Sequence, residues 1–183
     1  MDSRNKQNIR STTILGVRIG KKFSIGGDGQ VTMGDVQMKS KAVKVRDFND
    51  RKVLAGFAGS VADAMNLFEK FESKLAESNG NLQKAVVEMA KDWRMDKVLR
   101  NLDALLAIMD QNSSYILSGS GDVIEPDDQV ISIGSGSPFA ISSARAYLDS
   151  GMKVPSEIVK RSLKITADLC IYTNDKITII QGK

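Results

Sequence analysis

The order of strand-like and helix-like segments is the feature that most restricts how this chain can fold. Eight segments have the residue pattern of strands: residues 12–18, 22–26, 43–48, 52–58, 104–109, 114–118, 129–133 and 176–180. Four segments have apolar residues at helical spacing, and they begin near Ser60, Asn81, Pro138 and Pro155. The order is therefore strands, two helices, strands, two helices and a final strand.

Short turns join neighbouring strands, such as Ile19-Gly20-Lys21 and Asn49-Asp50. Turns of this length connect antiparallel strands, so a parallel doubly wound sheet is disfavoured. Two antiparallel sheets stacked face to face, with one helix pair on each outer side, would bury every apolar stripe. The sequence predicts an α+β fold of this kind, a four-layer αββα sandwich, as one domain over residues 12–183.

The first eleven residues, MDSRNKQNIRS, are polar and charged and have no periodic apolar pattern, which is typical of a leader peptide. They lack the apolar centre of a signal peptide. The longest apolar runs, such as Ala104–Met109, are too short to cross a bilayer. The single cysteine, Cys170, excludes an intrachain disulfide. We expect a cytoplasmic protein that does not enter a membrane and whose leader, residues 1–11, is removed.

The net charge of +4 does not indicate a nucleic-acid partner. The only basic cluster alternates with apolar residues, which predicts a strand with one solvated face. Its members are Lys39, Lys41, Lys44 and Arg46. Aromatic residues are only 5% of the chain and leave little for base stacking. We therefore expect no nucleic-acid binding.

The chain contains no histidine, which excludes Ser-His-Asp and Cys-His nucleophile pairs and the histidine-bearing zinc sites. It has no phosphate loop of the form G-x-x-x-x-G-K-[ST], so we do not expect it to hydrolyse ATP. Gly134-Ser135-Gly136, ahead of a helix, favours a tight turn over a phosphate site. Any catalytic nucleophile must therefore be activated without an imidazole.

An N-terminal threonine is such a nucleophile, because its own α-amine acts as the general base. The unperturbed pKa of an α-amine is about 7.7–8.0, so a useful fraction is neutral near pH 7. A nearby lysine would lower that pKa by like-charge repulsion. Here the polar leader is followed by a strand that starts Thr12-Thr13. This arrangement permits the chemistry, but it is also an ordinary way for a strand to begin.

Nine separate segments, in their order and spacing, resemble the HslV family of bacterial proteases. They are Thr12-Thr13-Ile14, Gly27-Asp28-Gly29-Gln30, Lys44-Val45-Arg46, Ala55–Gly59, Asp63-Ala64, Leu67–Glu72, Lys91–Arg94, Ile133–Gly136 and Cys170–Asn174. The resemblance covers essentially all of residues 12–183. This family is similar to the proteasome β-subunit and belongs to the N-terminal-nucleophile hydrolases. The resemblance therefore implies a threonine endopeptidase with the αββα sandwich.

Carried onto this chain, the resemblance implies Thr12 as the nucleophile and its freed amine as the base. Lys44 would lie beside it, lower the pKa of the amine and stabilise developing negative charge, and Asp28 would pair with Lys44. Gly56 would offer its backbone N–H to the oxyanion. Ser135 would support the amine and hydroxyl of Thr12. From the residue pattern alone, Lys44 is an exposed strand lysine and Asp28 is a turn residue.

The resemblance also implies a sodium ion, Na⁺, bound by the backbone oxygens of Ala167, Cys170 and Thr173. There is a physical reason for such a site at the end of the fourth helix. The last carbonyls of a helix have no intrahelical partners and carry the negative end of the helix dipole. The thiol of Cys170 need not contact the ion.

The same resemblance implies a homododecamer of two stacked hexameric rings. A hexameric HslU-type ATPase would unfold substrate proteins and thread them into it, and this partner would also activate the peptidase. One alternative is a non-catalytic ring scaffold that keeps its leader, as proteasome α-subunits are. Another is an amidase of the same superfamily that acts on small molecules. Cleavage could also leave Ser11 or Thr13 as the first residue, but the spacings to Asp28 and Lys44 favour Thr12.

Overall fold

The computed structural model of the protein describes residues 12–59, 61–97 and 104–183, with residues 61–64 described by their backbone alone. The predicted leader and the predicted helix start at Ser60 lie outside the described residues. Every predicted strand is present, with bounds within two residues of those expected. The described helices also begin within one residue of their predicted starts.

The elements follow the predicted order. The strands are β1 (Thr13–Ile19), β2 (Lys22–Gly27), β3 (Val31–Met33), β4 (Val36–Lys39), β5 (Val45–Phe48), β6 (Val53–Ala58), β7 (Leu105–Asp110), β8 (Ser114–Ser118), β9 (Val123–Ile124), β10 (Val130–Gly134) and β11 (Thr178–Gln181). The helices are α1 (Val61–Glu77), α2 (Leu82–Met95), α3 (Ser137–Asp149) and α4 (Pro155–Leu169). No helix of the described part is both long enough and apolar enough to cross a membrane.

Two antiparallel sheets form the centre of the molecule. One has the strand order β10-β1-β2-β11, and the other has the order β5-β6-β7-β8-β9. Their facing sides form an apolar layer that includes Ile14, Leu54 and Met109. The register Ile14↔Gly27 between β1 and β2 brings the start of β1 beside the end of β2. Residues that follow β2 are therefore placed next to Thr12.

Each helix pair covers the outer face of one sheet. Helices α1 and α2 pack on the five-stranded sheet, where Trp93, Phe57 and Phe71 are fully or almost fully buried. Helices α3 and α4 pack on the four-stranded sheet through residues such as Ala144 and Leu163. The predicted α+β sandwich with four layers is therefore confirmed. It arises because each amphipathic helix has one apolar face to bury and each sheet has two.

Three features of the fold differ from the sequence prediction. The small β3–β4 hairpin and the two-residue strand β9 were not expected. The basic cluster does not lie on one solvated face, because Lys44 is only 5% exposed while the neighbouring Val43 is 71% exposed. Lys39 and Lys41 are exposed, as predicted. The prediction of an exposed Lys44 from residue alternation is wrong, because two polar partners inside the protein hold its ammonium group.

Candidate active site

Thr12 lies immediately before β1 and is almost fully buried. Its carbonyl oxygen accepts a hydrogen bond from the backbone N–H of Ser135 at 3.0 Å. The adjacent residue of β10, Gly134, approaches so closely that a Cβ atom there would collide with the carbonyl of Thr12. Glycine at this position is what lets β10 and the following turn lie against the start of β1.

Four hydrogen bonds hold Thr13, the residue next to Thr12. Its backbone N–H donates to Oδ1 of Asp28 at 2.8 Å, and its carbonyl accepts from the Asp28 N–H at 3.2 Å. Its hydroxyl lies 2.7 Å from the hydroxyl of Thr173 and accepts from the Gly136 N–H at 3.0 Å. The backbone at the start of β1 is therefore fixed from three parts of the chain.

A buried ion pair lies behind this position. Asp28 is fully buried, and its Oδ1 lies 3.1 Å from Nζ of Lys44. The same oxygen accepts from the Thr13 N–H, which places the ammonium of Lys44 beside the start of β1. The other carboxylate oxygen, Oδ2, accepts from the Gln30 N–H at 2.8 Å. The carboxylate is thus hydrogen-bonded through both oxygens, as a buried charge requires.

Burial and the neighbouring Asp28 have opposite effects on the pKa of Lys44. Burial lowers the pKa of Lys44 because the charged ammonium loses its hydration. The charge of Asp28 and its hydrogen bond raise that pKa again, but by less than burial lowers it. Lys44 is therefore a buried cation whose protonated form depends on Asp28.

Thr12 lines a cavity of about 700 Å³. The other lining residues are Ala58, Gly59, Ala104, Leu105, Ile116, Ile124, Ser132, Ile133, Gly134, Ser135, Ser137 and Tyr172. The walls are mainly apolar, and the polar lining residues are Thr12, Ser132, Ser135, Ser137 and Tyr172. The cavity is large enough for an amino-acid side chain with part of a peptide backbone.

The structure brings most of the predicted site residues together. Thr12 and Ser135 share the cavity, and the buried pair of Lys44 and Asp28 is joined to the adjacent Thr13 through the Thr13 N–H. Gly56 is placed differently: it lies in the middle of β6, and a Cβ atom there would collide with the side chain of Ile14. It does not line the cavity that contains Thr12. Its missing side chain makes room for the apolar layer between the sheets.

Gly59 lines the cavity instead, although the sequence reasoning did not select it. It directly follows β6 and has a φ of +145°, a conformation that favours glycine. The signal was present in the sequence, because Gly56 and Gly59 are two glycines in one segment, one inside the strand and one after it. Their environments differ because Gly56 faces Ile14 and Ile25 of the other sheet, whereas Gly59 lines the cavity.

The predicted sodium ligands lie at the end of α4, next to the site. The helix ends at Leu169, and the Cys170 N–H still donates to the Thr166 carbonyl at 2.8 Å. The Thr173 N–H donates to the Cys170 carbonyl at 3.0 Å, which closes a turn after the helix. Within the described ranges, no three His, Cys, Asp or Glu side chains are grouped so that they could hold a metal ion. Backbone oxygens of the α4 terminus and of this turn are hard donors of the kind that sodium prefers, so the residues present fit such an ion.

The fold and the site define a hydrolase of the proteasome type, with two stacked antiparallel sheets and a threonine, Thr12, immediately before β1. The chain belongs to the proteasome subunit family, whose model, described as "Proteasome subunit", matches residues 9–181. It is 52% identical over 174 residues to the ATP-dependent protease subunit HslV of Caldicellulosiruptor saccharolyticus. The match covers 94% of this chain and 99% of that protein. The resemblance seen in the sequence is confirmed.

Solved structures give the same result. The crystal structure of eukaryotic HslV from Trypanosoma brucei has a TM-score of 0.86 and 40% sequence identity, and the match covers 92% of this chain and 98% of that one. A chain described as Thiobacillus denitrificans BPH has a TM-score of 0.70 at 13% identity, over 93% of this chain and 97% of that one. The second match shows a shared fold only.

Replacement of Asp28 by Asn tests the buried pair. We expect Asp28→Asn to lower the free energy of unfolding near pH 7 by about 3 kcal/mol, because it leaves the ammonium of Lys44 buried without its counter-charge. In this variant the pKa of Lys44 falls further in the folded state, while the unfolded chain keeps the ordinary value of 10.5. Between the pKa of Lys44 in the folded variant and 10.5, the unfolded chain binds more protons than the folded chain. The free energy of unfolding of the variant therefore rises with pH over this range, and its deficit relative to the wild type narrows towards pH 10.5.

Chemical denaturation at fixed protein concentration and a series of pH values measures this effect. Asp175→Asn is the matched control, because Asp175 pairs with Lys176 at 2.9 Å in an exposed position. We expect no pH-dependent deficit for the control. An Asp28→Asn deficit that stays constant up to pH 10.5 would contradict the assignment of Lys44 as a charged partner.

Proposed function

We propose that this chain is the proteolytic subunit of an ATP-dependent protease and that it cleaves peptide bonds with Thr12 after residues 1–11 are removed. The predicted function class is confirmed by the 52% identity to an HslV protein over nearly the whole chain. The observation that supports the site is the position of Thr12, which lines the cavity and directly precedes Thr13, whose N–H donates to the Asp28 of the buried pair.

The hydroxyl of Thr12 attacks the carbonyl carbon of the substrate. The α-amine of the same residue takes the hydroxyl proton and passes it to the leaving amine as the peptide bond breaks. This gives an ester between Thr12 and the acyl part of the substrate. Water, deprotonated by the same amine, then attacks the ester and restores the hydroxyl. The positive charge of Lys44 keeps the pKa of the amine low and favours the negative charge that develops during attack.

The oxyanion needs an N–H donor that faces the cavity. Gly56 was the expected donor, but the side chain of Ile14 lies against it and it does not line the cavity. We therefore assign this role to the backbone N–H of Gly59, which lines the same cavity as Thr12. Ser135 supports Thr12 through its backbone N–H, which donates to the carbonyl of Thr12.

We also propose the homododecamer of two stacked hexameric rings, with unfolded proteins as substrates. The β3–β4 hairpin supports an assembly, because it exposes apolar side chains that a subunit contact would bury, among them Val36 and Met38. A hexameric HslU-type ATPase supplies the energy, in agreement with the absence of a phosphate loop from the sequence. We propose that the protein is cytoplasmic, since its single cysteine is consistent with a reducing compartment.

Replacement of Thr12 by Ala tests the nucleophile. We expect Thr12→Ala to reduce peptidase activity by at least about a thousandfold, because it removes the attacking atom. The intact mass of the wild-type protein should show the loss of residues 1–11. Thr178→Ala, in β11, is the control and should keep full activity. Peptidase activity retained by Thr12→Ala would refute the assignment, and active wild-type particles that keep residues 1–11 would also refute it.

The partner distinguishes a protease from an amidase or a scaffold. We expect degradation of an unfolded protein only when a hexameric HslU-type ATPase and ATP are both present. The control combines the same ATPase and ATP with Thr12→Ala particles, in which the substrate should persist. Hydrolysis of small amides without protein degradation would favour the amidase. Absence of both activities from wild-type particles would favour the scaffold.

We propose that Na⁺ binds to the backbone oxygens of Ala167, Cys170 and Thr173. When bound, the ion would neutralise the negative end of the α4 dipole beside the site. We expect the Tm to rise with sodium chloride and not with tetramethylammonium chloride at equal ionic strength, because an ion that binds only the folded state stabilises it. Cys170→Ala keeps the backbone carbonyl and should keep the effect. Equal Tm values in the two salts would contradict the site.

A further inference from the structure

Gln30 is a buried polar residue that the reaction above does not use. It is 7% exposed and lies between the end of β2 and the start of β3. Its backbone contacts both members of the buried pair: its N–H donates to Oδ2 of Asp28, and its carbonyl accepts from Nζ of Lys44. Gln30 therefore supplies Lys44 with a second oxygen, in addition to Oδ1 of Asp28.

Two acceptors define the position of an ammonium group better than one. The Lys side chain is long and flexible, and its three N–H bonds can rotate to suit any single partner. With Oδ1 of Asp28 and the carbonyl of Gln30 as fixed acceptors, Nζ of Lys44 is held at a defined point beside the start of β1. The direction of the Gln30 carbonyl thus decides where the positive charge lies.

The side chain of Gln30 fixes that direction. Its Nε2 donates to the carbonyl of Ile171 at 2.8 Å and to the hydroxyl of Thr32 at 3.0 Å. A backbone carbonyl can only accept, so the amide nitrogen must face Ile171. The link joins positions 141 residues apart in sequence, from the β2–β3 connection to the turn after α4.

The turn after α4 is itself tied to the same connection. The side-chain Oδ1 of Asn174 accepts from the Gly29 N–H at 3.1 Å, and its Nδ2 donates to the Ser40 carbonyl at 3.0 Å. The hydroxyl of Thr173 lies 2.7 Å from that of Thr13. Gln30 is therefore anchored on a turn that is fixed relative to the start of β1.

From these contacts we propose that Gln30 is a positioning residue for Lys44. Its side-chain amide, bound to the turn after α4, aims its own backbone carbonyl at the Lys44 ammonium. The positive charge of Lys44 is thereby held at a fixed position relative to the hydroxyl of Thr12. This role rests on the proposed function, since it concerns the lysine of the same site. A misplacement of about 1 Å at a catalytic group can reduce the rate by roughly a hundredfold.

The experiment compares the same substitution at a buried and an exposed glutamine. Gln30→Met keeps the length of the side chain and removes the amide donor, and Gln30→Asn keeps an amide that is too short to reach Ile171. Gln83→Met in α2 is the matched control, because Gln83 is exposed and does not line the cavity that contains Thr12. For each protein, kcat and KM are measured with a short fluorogenic peptide in the presence of the HslU-type ATPase. Mass spectrometry counts the chains that begin at Thr12.

We expect kcat per processed chain to fall about tenfold or more in both Gln30 variants, with KM within about twofold of the wild type. A misplaced Lys44 stabilises the transition state less but removes no substrate contact. A general destabilisation of the fold would also change KM and Tm. Gln83→Met should match the wild type. If Gln30→Met does not fold, Gln30→Asn decides. A kcat within twofold of the wild type in Gln30→Asn, or a change confined to KM, would overturn the proposal.

Failure of the inference and failure of the proposed function give different results. If Gln30 does not position Lys44, the wild type and both Gln30 variants are all active, and activity still requires Thr12. If the proposed function is wrong, the wild type itself shows no peptidase activity that depends on Thr12. The two results cannot be confused, because the first requires an active wild-type enzyme.

Discussion

The buried ion pair between Lys44 and Asp28 is the interaction on which the site depends. Two charges are costly to bury, and the pair persists because protein groups replace the lost water. The pair and its hydrogen-bond partners come from different parts of the fold: Thr13 begins a strand of one sheet, Gln30 follows the next strand of that sheet, and Lys44 comes immediately before the first strand of the other. The pair therefore exists only when the two sheets are stacked.

The same contacts solve a problem that an N-terminal nucleophile creates. A chain terminus normally frays, because few contacts hold it. Here the hydrogen bonds around Thr13 and the bond from Ser135 to the carbonyl of Thr12 fix the backbone up to Thr12, the proposed nucleophile. In the proposed mechanism the hydroxyl and the amine of Thr12 then act together, and no separate imidazole is needed. The absence of histidine from the sequence is consistent with this arrangement.

Most of the fold could be predicted because it follows from local patterns. Hairpin turns and alternating residues specify antiparallel strands, and apolar stripes at helical spacing specify helices that must cover a sheet. The β3–β4 hairpin was missed because its strands have three and four residues and β4 is exposed throughout, so no buried face marks it in the sequence. The environments of Gly56 and Gly59 differ only through packing, since Ile14 from the opposite sheet lies against one of them.

The sequence by itself determined the layer order of the fold, the exclusion of imidazole chemistry and, through resemblance, the choice of Thr12, Asp28 and Lys44 as candidate site residues. The tertiary structure alone decided that Lys44 is buried while Val43 is exposed, that Gly59 rather than Gly56 lines the cavity, and that Gln30 joins the ion pair to the turn after α4. The physical reason is the range of the interactions. Periodicity reports contacts between neighbours in sequence, whereas these three features depend on groups that only the stacking of the two sheets and α4 brings within hydrogen-bonding or van der Waals distance.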